Sequence, residues 1–354
     1  MDTGSISHTV SVIIPVHNRS AELRECLEAL KNQTVPASEI IVVDDGSTDE
    51  TGQVAREFGV TLLRGEEPRS VNYCRNLGAQ HAQSDILAFF DSDTVPRTAA
   101  LEKALCHFKD STIDAVVGVY SVEHRHQNAA SQYKNMWIRY SYLYSSRHID
   151  WIFGAASAIR KESYQHAGGF DQTMMMTYGG EDLELGKRMA RHDLRIRLES
   201  EFEVEHLKRH TIRSLLKNDL QRSDGFVRIA GQVGHLAQSL RNGFVNVYPT
   251  FIYSVFLSVL ILLAAGGGLL SSDLWWLLLA FCIAYFIING PFLLYFFRHR
   301  GIWQTVQATG ILFLDHLACA VGSAIGLLRA LSGTPQKWRC PPGGRHVPRP
   351  QTFL

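Results

Sequence analysis

The chain has 354 residues, with 35 Lys and Arg against 34 Asp and Glu, and its formal net charge of +1 gives no support for a nucleic-acid partner. Six cysteines (Cys26, Cys74, Cys106, Cys282, Cys319 and Cys340) fall at no paired spacing, which argues against a disulfide framework or zinc knuckle and fits a reducing compartment. The polar start Met1–Thr9 lacks a basic region followed by an apolar core, so no signal peptide is expected and the soluble part is placed in the cytoplasm.

Val10–Val16 (VSVIIPV) reads as a buried strand containing Pro15. Ser20 is the expected cap of a helix over Glu22–Asn32, with Leu23, Leu27 and Leu30 on one face. Ile40–Val43 is a second strand ending in Asp44-Asp45-Gly46-Ser47, Asp49 caps a helix to about Phe58, and Val60–Leu63 is a third strand. This β-α-β-α-β alternation calls for a parallel sheet with right-handed crossovers, and such sheets bind ligands beyond the carboxyl ends of their strands. Turn chemistry explains Gly46 and Ser47 on its own. It explains Asp45 less well, because adjacent acids repel unless something pairs with them; a base edge or ribose hydroxyl is a natural partner.

Arg75 and Asn76 open a helix to about Gln83 that leads into the apolar strand Ile86–Phe90. That strand ends in Asp91-Ser92-Asp93, and positions i and i+2 of an extended end project the same way. Two hard oxygen ligands meeting there suit Mg2+ or Mn2+ carrying a diphosphate, the alternative being solvated loop acids. Arg75 beside them supplies charge for the diphosphate; the alternative is a surface arginine.

Val12-Ile13-Ile14-Pro15-Val16-His17-Asn18, Val42-Val43-Asp44-Asp45-Gly46-Ser47, Arg75-Asn76-Leu77-Gly78 and Phe90-Asp91-Ser92-Asp93 stand in the order in which family-2 glycosyltransferases carry such motifs. Over about Val10 to Glu205 the chain resembles these inverting enzymes, whose fold is GT-A. The resemblance implies an α/β fold: a GT-A nucleotide-sugar-binding domain, mostly a parallel Rossmann-like sheet, followed by C-terminal transmembrane helices. It implies Pro15, Asn18, Asp44, Asp45, Arg75, Asp91 and Ser92 as nucleotide-sugar-binding residues, and Asp91 and Asp93 as ligands of Mn2+ or Mg2+. Some related enzymes use a histidine as third ligand, which makes His206 a candidate.

Further along, Ala115–Tyr120 and Arg195–Leu198 read as strands. The aromatic-rich Gln132–Trp151 suits core, an acceptor-side flap or a membrane-interface surface. Phe153–Ser157 is small enough for close backbone approach to a ligand. Gly179-Gly180-Glu181-Asp182 opens a helix, where acids are favourable in any case. Displacement at an anomeric carbon needs a general base for the acceptor hydroxyl. The family places that role on the second acid of its Glu-Asp pair, which here is Asp182 beside Glu181. Gln221-Arg222 lacks the Trp of the Gln-x-x-Arg-Trp segment of processive synthases, which favours single-sugar transfer.

Val247–Leu270 and Leu274–Phe297 are each long enough to span a bilayer, joined by the turn Ser271–Asp273, with Trp275 and Trp276 at an interface. Arg298-His299-Arg300 then obeys the positive-inside rule for a cytoplasmic catalytic domain. A third segment, about Ile302–Leu328, carries Asp315 and His316 amid apolar residues and a Gly322-x-x-x-Gly326 packing face. Three full spans conflict with the basic tail (Arg329, Lys337, Arg339, Arg345, Arg349), and a re-entrant third segment is the rival. The expected domains are a flexible 1–9, a GT-A domain 10–210, a juxtamembrane connector 211–246, a membrane domain 247–330 and a disordered basic tail 331–354. The expectation is a multi-pass membrane protein using a nucleotide-diphosphate sugar and a lipid or lipid-linked acceptor. The rivals are a processive polysaccharide synthase and a catalytically inactive nucleotide-binding scaffold.

Overall fold

The structure, a computed structural model, describes residues 8–144, 148–172, 180–232, 249–268 and 271–332. Its strands are β1 (Val10–Val16), β2 (Glu39–Asp44), β3 (Thr61–Arg64), β4 (Ile86–Phe90), β5 (Thr94–Pro96), β6 (Ala115–Tyr120), β7 (His148–Ile149), β8 (Ala156–Arg160) and β9 (Ile196–His206). Its helices are α1 (Ser20–Lys31), α2 (Thr51–Glu57), α3 (Val71–His81), α4 (Ala100–Leu105), α5 (Ala129–Leu143), α6 (Lys161–His166), α7 (Glu181–Arg191), α8 (Ile212–Gln232), α9 (Pro249–Gly267) and α10 (Leu274–Leu331). Within the described residues these form two compact units, 8–123 with 148–207 and 124–144 with 208–332.

The first unit is built on a sheet in the order β3-β2-β1-β4-β8-β6-β9-β5, with β7 on β9. β3, β2, β1 and β4 run parallel. Every residue of β1 and of β4 is buried, as strands covered on both faces require. Beyond β4 the sheet is mixed: β8 is antiparallel to β4 and β6, β9 is parallel to β6, and β5 is antiparallel to β9. A parallel neighbour for β4 would need a crossover of about a dozen residues. Only Asp91–Asp93 separate β4 from β5, so β5 leaves for the far side of β9.

The strand expected over Arg195–Leu198 extends as β9 to His206, with Phe202 and Val204 in the core. It pairs His206 with Thr94 and so brings the histidine beside the Asp91–Asp93 loop. Two helix starts also differ from expectation. α1 begins at Ser20 itself, because the Arg19 and Ser20 N–H groups donate to Thr51 Oγ1 (3.1 Å) and Asp49 Oδ2 (3.2 Å). α3 begins at Val71, where Ser70 Oγ accepts the Tyr73 N–H at 3.1 Å. Arg75 therefore lies inside α3 and on its buried side.

In the second unit, Tyr133, Trp137 and Tyr140 of α5 meet Phe292 of α10 at ring-centroid distances of 6.1, 5.0 and 5.4 Å, and Trp137 also meets Phe251 of α9 at 5.4 Å. The aromatic stretch is a packing face for the apolar helices. α9 and α10 are each long and apolar enough to cross a membrane. Their exposed Phe256, Leu263, Trp276 and Ile287 form a surface that water does not favour. At 58 residues, α10 is about 87 Å of helix, far beyond the ~30 Å hydrocarbon core. It breaks at Gly301 (φ 75°, ψ 177°), which divides the second expected apolar segment from the third. Across the break, Tyr285 OH and His316 Nδ1 are hydrogen-bonded at 2.7 Å, so the two limbs fold against each other. The connector residues 233–248 and the tail 333–354 lie outside the described residues.

Candidate active site

β1, β2 and β4 are in parallel register, so their following loops emerge at one edge of the sheet: His17-Asn18, Asp45–Ser47 and Asp91–Asp93. The first two loops are tied together. Asn18 takes a left-handed φ of 51°, donates its N–H to Ser47 Oγ (2.9 Å) and accepts the Thr48 N–H on Oδ1 (2.8 Å). Pro15 is buried inside β1, so it shapes the strand end from within.

Asp44 and Asp45 have separate surroundings. Asp44 is fully buried, accepts the Ser47 N–H at 2.9 Å and lies 3.4 Å from Arg64 Nε. It is enclosed by protein and fixes the loop from within. Asp45 is half-buried, accepts the Arg69 N–H on Oδ1 at 2.8 Å, and its backbone carbonyl lies 2.9 Å from His17 Nδ1. The acid that turn chemistry left unexplained is thus the one held at the loop surface.

Asn72, Arg75 and Asn76 share one face of α3 by their i, i+3, i+4 spacing. Asn72 Nδ2 donates to the Asp171 carbonyl (2.8 Å), Asn76 Nδ2 to the Phe170 carbonyl (2.8 Å), and Asn76 Oδ1 accepts the Phe170 N–H (2.9 Å). These bonds hold Phe170 against the Arg75 guanidinium, 4.9 Å from ring centroid to Cζ. Arg75 Nη2 then donates to Asp91 Oδ1 at 2.8 Å, and Nη1 stands 3.7 Å from Glu181 Oε1. The arginine side chain is only 4% exposed, so its charge is spent between the β4 acid and the α7 acids. The guanidinium is thus buried behind the acids of the site.

Burial pushes the Asp91 carboxyl above its ordinary range; Arg75 pulls against the rise and Asp93 adds to it. Burial likewise raises Glu181, with the charge of Asp182 adding and Arg75 opposing. Asp93 Oδ2 lies 3.7 Å from His206 Nε2 and 3.8 Å from Arg19 Nη1. Tyr120 stacks flat on His206 at 4.8 Å and fixes the ring. Ser92 is buried between the two acids in the chain. Asp182, at the start of α7, accepts the Gly154 N–H (3.3 Å) and the Leu183 N–H (2.9 Å).

Among the described residues no three His, Cys, Asp or Glu side chains close into a metal-holding group by themselves. The donors still fit Mg2+ or Mn2+, which are commonly held by one or two carboxylates plus substrate phosphates. The raised Asp91 carboxyl beside Asp93 marks a spot where a cation would relieve repulsion.

The structure joins Asp91, Arg75, Glu181 and Asp182 in one cluster, sets Asp93 with His206 next to it, and leaves Asn18 and Asp45 on the adjoining loops. Arg19 and Tyr120 were not anticipated, because their roles come from loop closure and from the length of β9. Phe170 follows Gly168-Gly169, and nothing in that pattern shows its contact with Arg75.

Comparisons with known proteins place these residues in context. Residues 11–168 match the family described as Glycosyl transferase family 2, and residues 135–211 match the one described as N-terminal domain of galactosyltransferase. The glycosyltransferase AglE of Haloferax volcanii is 37% identical over 129 residues, 34% of this chain and 42% of the relative. The pre-mycofactocin glycosyltransferase of Mycobacterium tuberculosis is 29% identical over 220 residues, 60% of this chain and 45% of the relative. The chain thus spans less than half the length of these two curated relatives. The mannosyltransferase PcManGT from Pyrobaculum calidifontis, solved in complex with GDP-Man and Mn2+, superposes with a TM-score of 0.54 and 19% identity over 93% of this chain and 88% of that one. This likeness establishes the mixed α/β, Rossmann-like GT-A fold.

Proposed function

Because residues 11–168 are a glycosyl transferase family 2 domain, we propose that the protein is an inverting, metal-dependent glycosyltransferase acting at a membrane. It moves a sugar from a nucleotide-diphosphate sugar to a lipid or lipid-linked acceptor. The observation that carries this reading is the single Arg75 guanidinium lying between Asp91 and the Glu181-Asp182 pair. It ties a metal-type carboxylate and a base-type carboxylate into one site, which neither a nucleotide-binding scaffold nor a surface acid cluster requires.

In the proposed reaction the acceptor hydroxyl gives its proton to Asp182 while its oxygen bonds to the anomeric carbon. The bond from that carbon to the diphosphate oxygen breaks, and the nucleoside diphosphate leaves. Asp91 and Asp93, with His206 alongside, would hold a divalent cation, which would supply charge neutralisation for the leaving diphosphate. Asp182 keeps its orientation through the N–H groups of Gly154 and Leu183. Arg75 holds Asp91 in place from behind and balances Glu181, so the neighbour of the base adds less repulsion to it. Asp45, with Asn18 bracing its loop, is assigned to the nucleoside. The name of the Pyrobaculum calidifontis enzyme's ligand supports a nucleotide-sugar donor with Mn2+, and the two apolar helices support an acceptor that lives in the membrane.

The test is nucleoside diphosphate release by the full chain in nanodiscs, with UDP- and GDP-sugars, Mn2+ or Mg2+, and a total lipid extract. Release that needs lipid and metal and collapses in Asp182→Asn and Asp93→Ala is the expected result. Efficient transfer to a water-soluble acceptor with none to lipid would reject the membrane acceptor. Nucleotide binding without turnover on any donor would reject the enzyme.

A further inference from the structure

Arg19 stands at the N-cap of α1. A residue there ordinarily offers an oxygen to the first N–H groups of the helix, and the arginine side chain has none. Its charge also sits at the positive end of the helix dipole, where a cation is disfavoured. The surrounding chain accommodates this placement. Asn18 holds a left-handed φ of 51°, uncommon outside glycine, where β1 turns into α1. Thr51 Oγ1 accepts the Arg19 N–H at 3.1 Å, and Glu22 accepts from the guanidinium Nη1 at 3.0 Å. Local rules that are broken and then compensated by neighbours are characteristic of functional positions.

The same Nη1 lies 3.8 Å from Asp93 Oδ2, and the Arg19 side chain is 42% exposed. Arg75, which holds Asp91, is buried. Arg64 donates to the Ser47 carbonyl at 2.8 Å and stands 3.4 Å from Asp44, so it serves the loop after β2. Backbone donors are committed as well. The N–H groups of Asn18, Ser20, Ser47 and Thr48 go to Ser47 Oγ, Asp49 Oδ2, Asp44 Oδ1 and Asn18 Oδ1. A diphosphate at the loops after β1, β2 and β4 therefore finds in Arg19 a guanidinium that reaches the acids and is still open to solvent. Its contacts with Glu22 and Asp93 run through Nη1, which leaves Nε and Nη2 for an anion.

We propose that Arg19 binds the diphosphate of the nucleotide-sugar donor and gives up Asp93 to do so. The proposal rests on the reading of this site as one for a nucleotide sugar and a divalent cation. Asp93 does not serve Arg19 and a divalent cation together at full strength, because the two positive charges repel. Arg19 thus competes with the ion for Asp93, and with the ion held it turns to the phosphate oxygens, which its planar fork suits. When the bond to the anomeric carbon breaks, the leaving diphosphate gains a negative charge, and Arg19 neutralises part of it. The preference for nucleoside diphosphates over monophosphates then depends on this side chain.

The test measures binding by the full chain in phosphatidylcholine nanodiscs, with no turnover required. Mn2+ alone is titrated by electron paramagnetic resonance. UDP, GDP, UMP and GMP are titrated by calorimetry at saturating Mn2+. Arg19→Met is expected to bind Mn2+ alone a few-fold more tightly and the nucleoside diphosphate about ten-fold more weakly, with monophosphate affinity unchanged. Arg19→Met with Glu22→Gln keeps the local net charge, and the diphosphate loss should persist in it. Recovery in that double variant would assign the loss to an unpaired Glu22 and overturn the proposal. So would Mn2+ and diphosphate affinities that fall together, equal losses for diphosphate and monophosphate, or no change in either. A parent chain that binds neither UDP nor GDP at saturating Mn2+ would instead reject the reading of the site, and this proposal with it.

Discussion

Gly154 and Arg75 meet so closely that a Cβ on the glycine would collide with the guanidinium and stand 2.8 Å from Cζ. The contact is functional in its consequences, because the same guanidinium holds Asp91 and the Gly154 N–H reaches Asp182. Gly154→Ala is therefore expected to move both acids while changing neither. A displacement of about 1 Å at reacting groups can cost on the order of a hundred-fold in rate. We expect kcat to fall by about that factor, with the α/β fold retained by circular dichroism. Unchanged kcat would mean that Arg75 has another way to sit.

Asp182→Asn keeps the shape of the side chain and removes its capacity to take a proton. General-base removal typically costs about 10²–10⁴ in rate. The loss should appear in kcat, with donor affinity in the presence of Mn2+ unchanged, because the proposed role of Asp182 is on the acceptor hydroxyl. Donor affinity measured by calorimetry separates the two cases. A variant that loses donor binding as much as turnover would make Asp182 a binding residue.

The metal should respond unequally to its three candidate ligands. Asp93→Ala removes one of the two carboxylates proposed to hold the ion, and metal-dependent donor binding should be lost. His206 stands 3.7 Å from Asp93 and is held flat by Tyr120, so it acts on the orientation of that acid as much as on the ion. His206→Ala is expected to weaken Mn2+ affinity by about ten-fold, as loss of a supporting group does. Titration of Mn2+ against donor binding reads both. A chelator should abolish donor binding in the parent chain and change little in Asp93→Ala.

The parallel half of the sheet was legible because its strands are uninterrupted apolar runs and their turns carry acids. The acids at the ends of β2 and β4 could be named from spacing alone. What sequence could not reveal is which of them is turned inward. Asp44 and Asp45 are adjacent and identical, yet one is sealed by Ser47 and Arg64 and the other faces the loop surface, a difference made by chain folded from elsewhere. Arg75 was legible as a cation next to the acids after β4, but its burial was not, since that depends on Phe170, nearly a hundred positions away. The long β9 was missed because Glu199, Glu201, Glu203 and Glu205 break the apolar signal, although alternation places Phe202 and Val204 inward. The third apolar segment was ambiguous in sequence because hydropathy cannot register which helix packs on its polar residues.

The Lys134–Asp219 pair gives the last expectation, and it concerns stability. The two side chains are 10% and 6% exposed, 2.6 Å apart, and join α5 to α8. Removing one partner leaves the other charge buried, which costs about 3–5 kcal/mol, whereas replacing both with apolar residues of similar size is often close to neutral. Lys134→Met should therefore lower the unfolding temperature in nanodiscs markedly. Lys134→Met combined with Asp219→Leu should recover most of the loss, even though it changes more atoms. If the double variant is as unstable as the sum of the two single ones, the pair is not isolated. Asp315, which shares a hydrogen bond with Tyr133 on the same turn of α5, would then carry part of the lock, and Asp315→Asn in the double-variant background would measure its share.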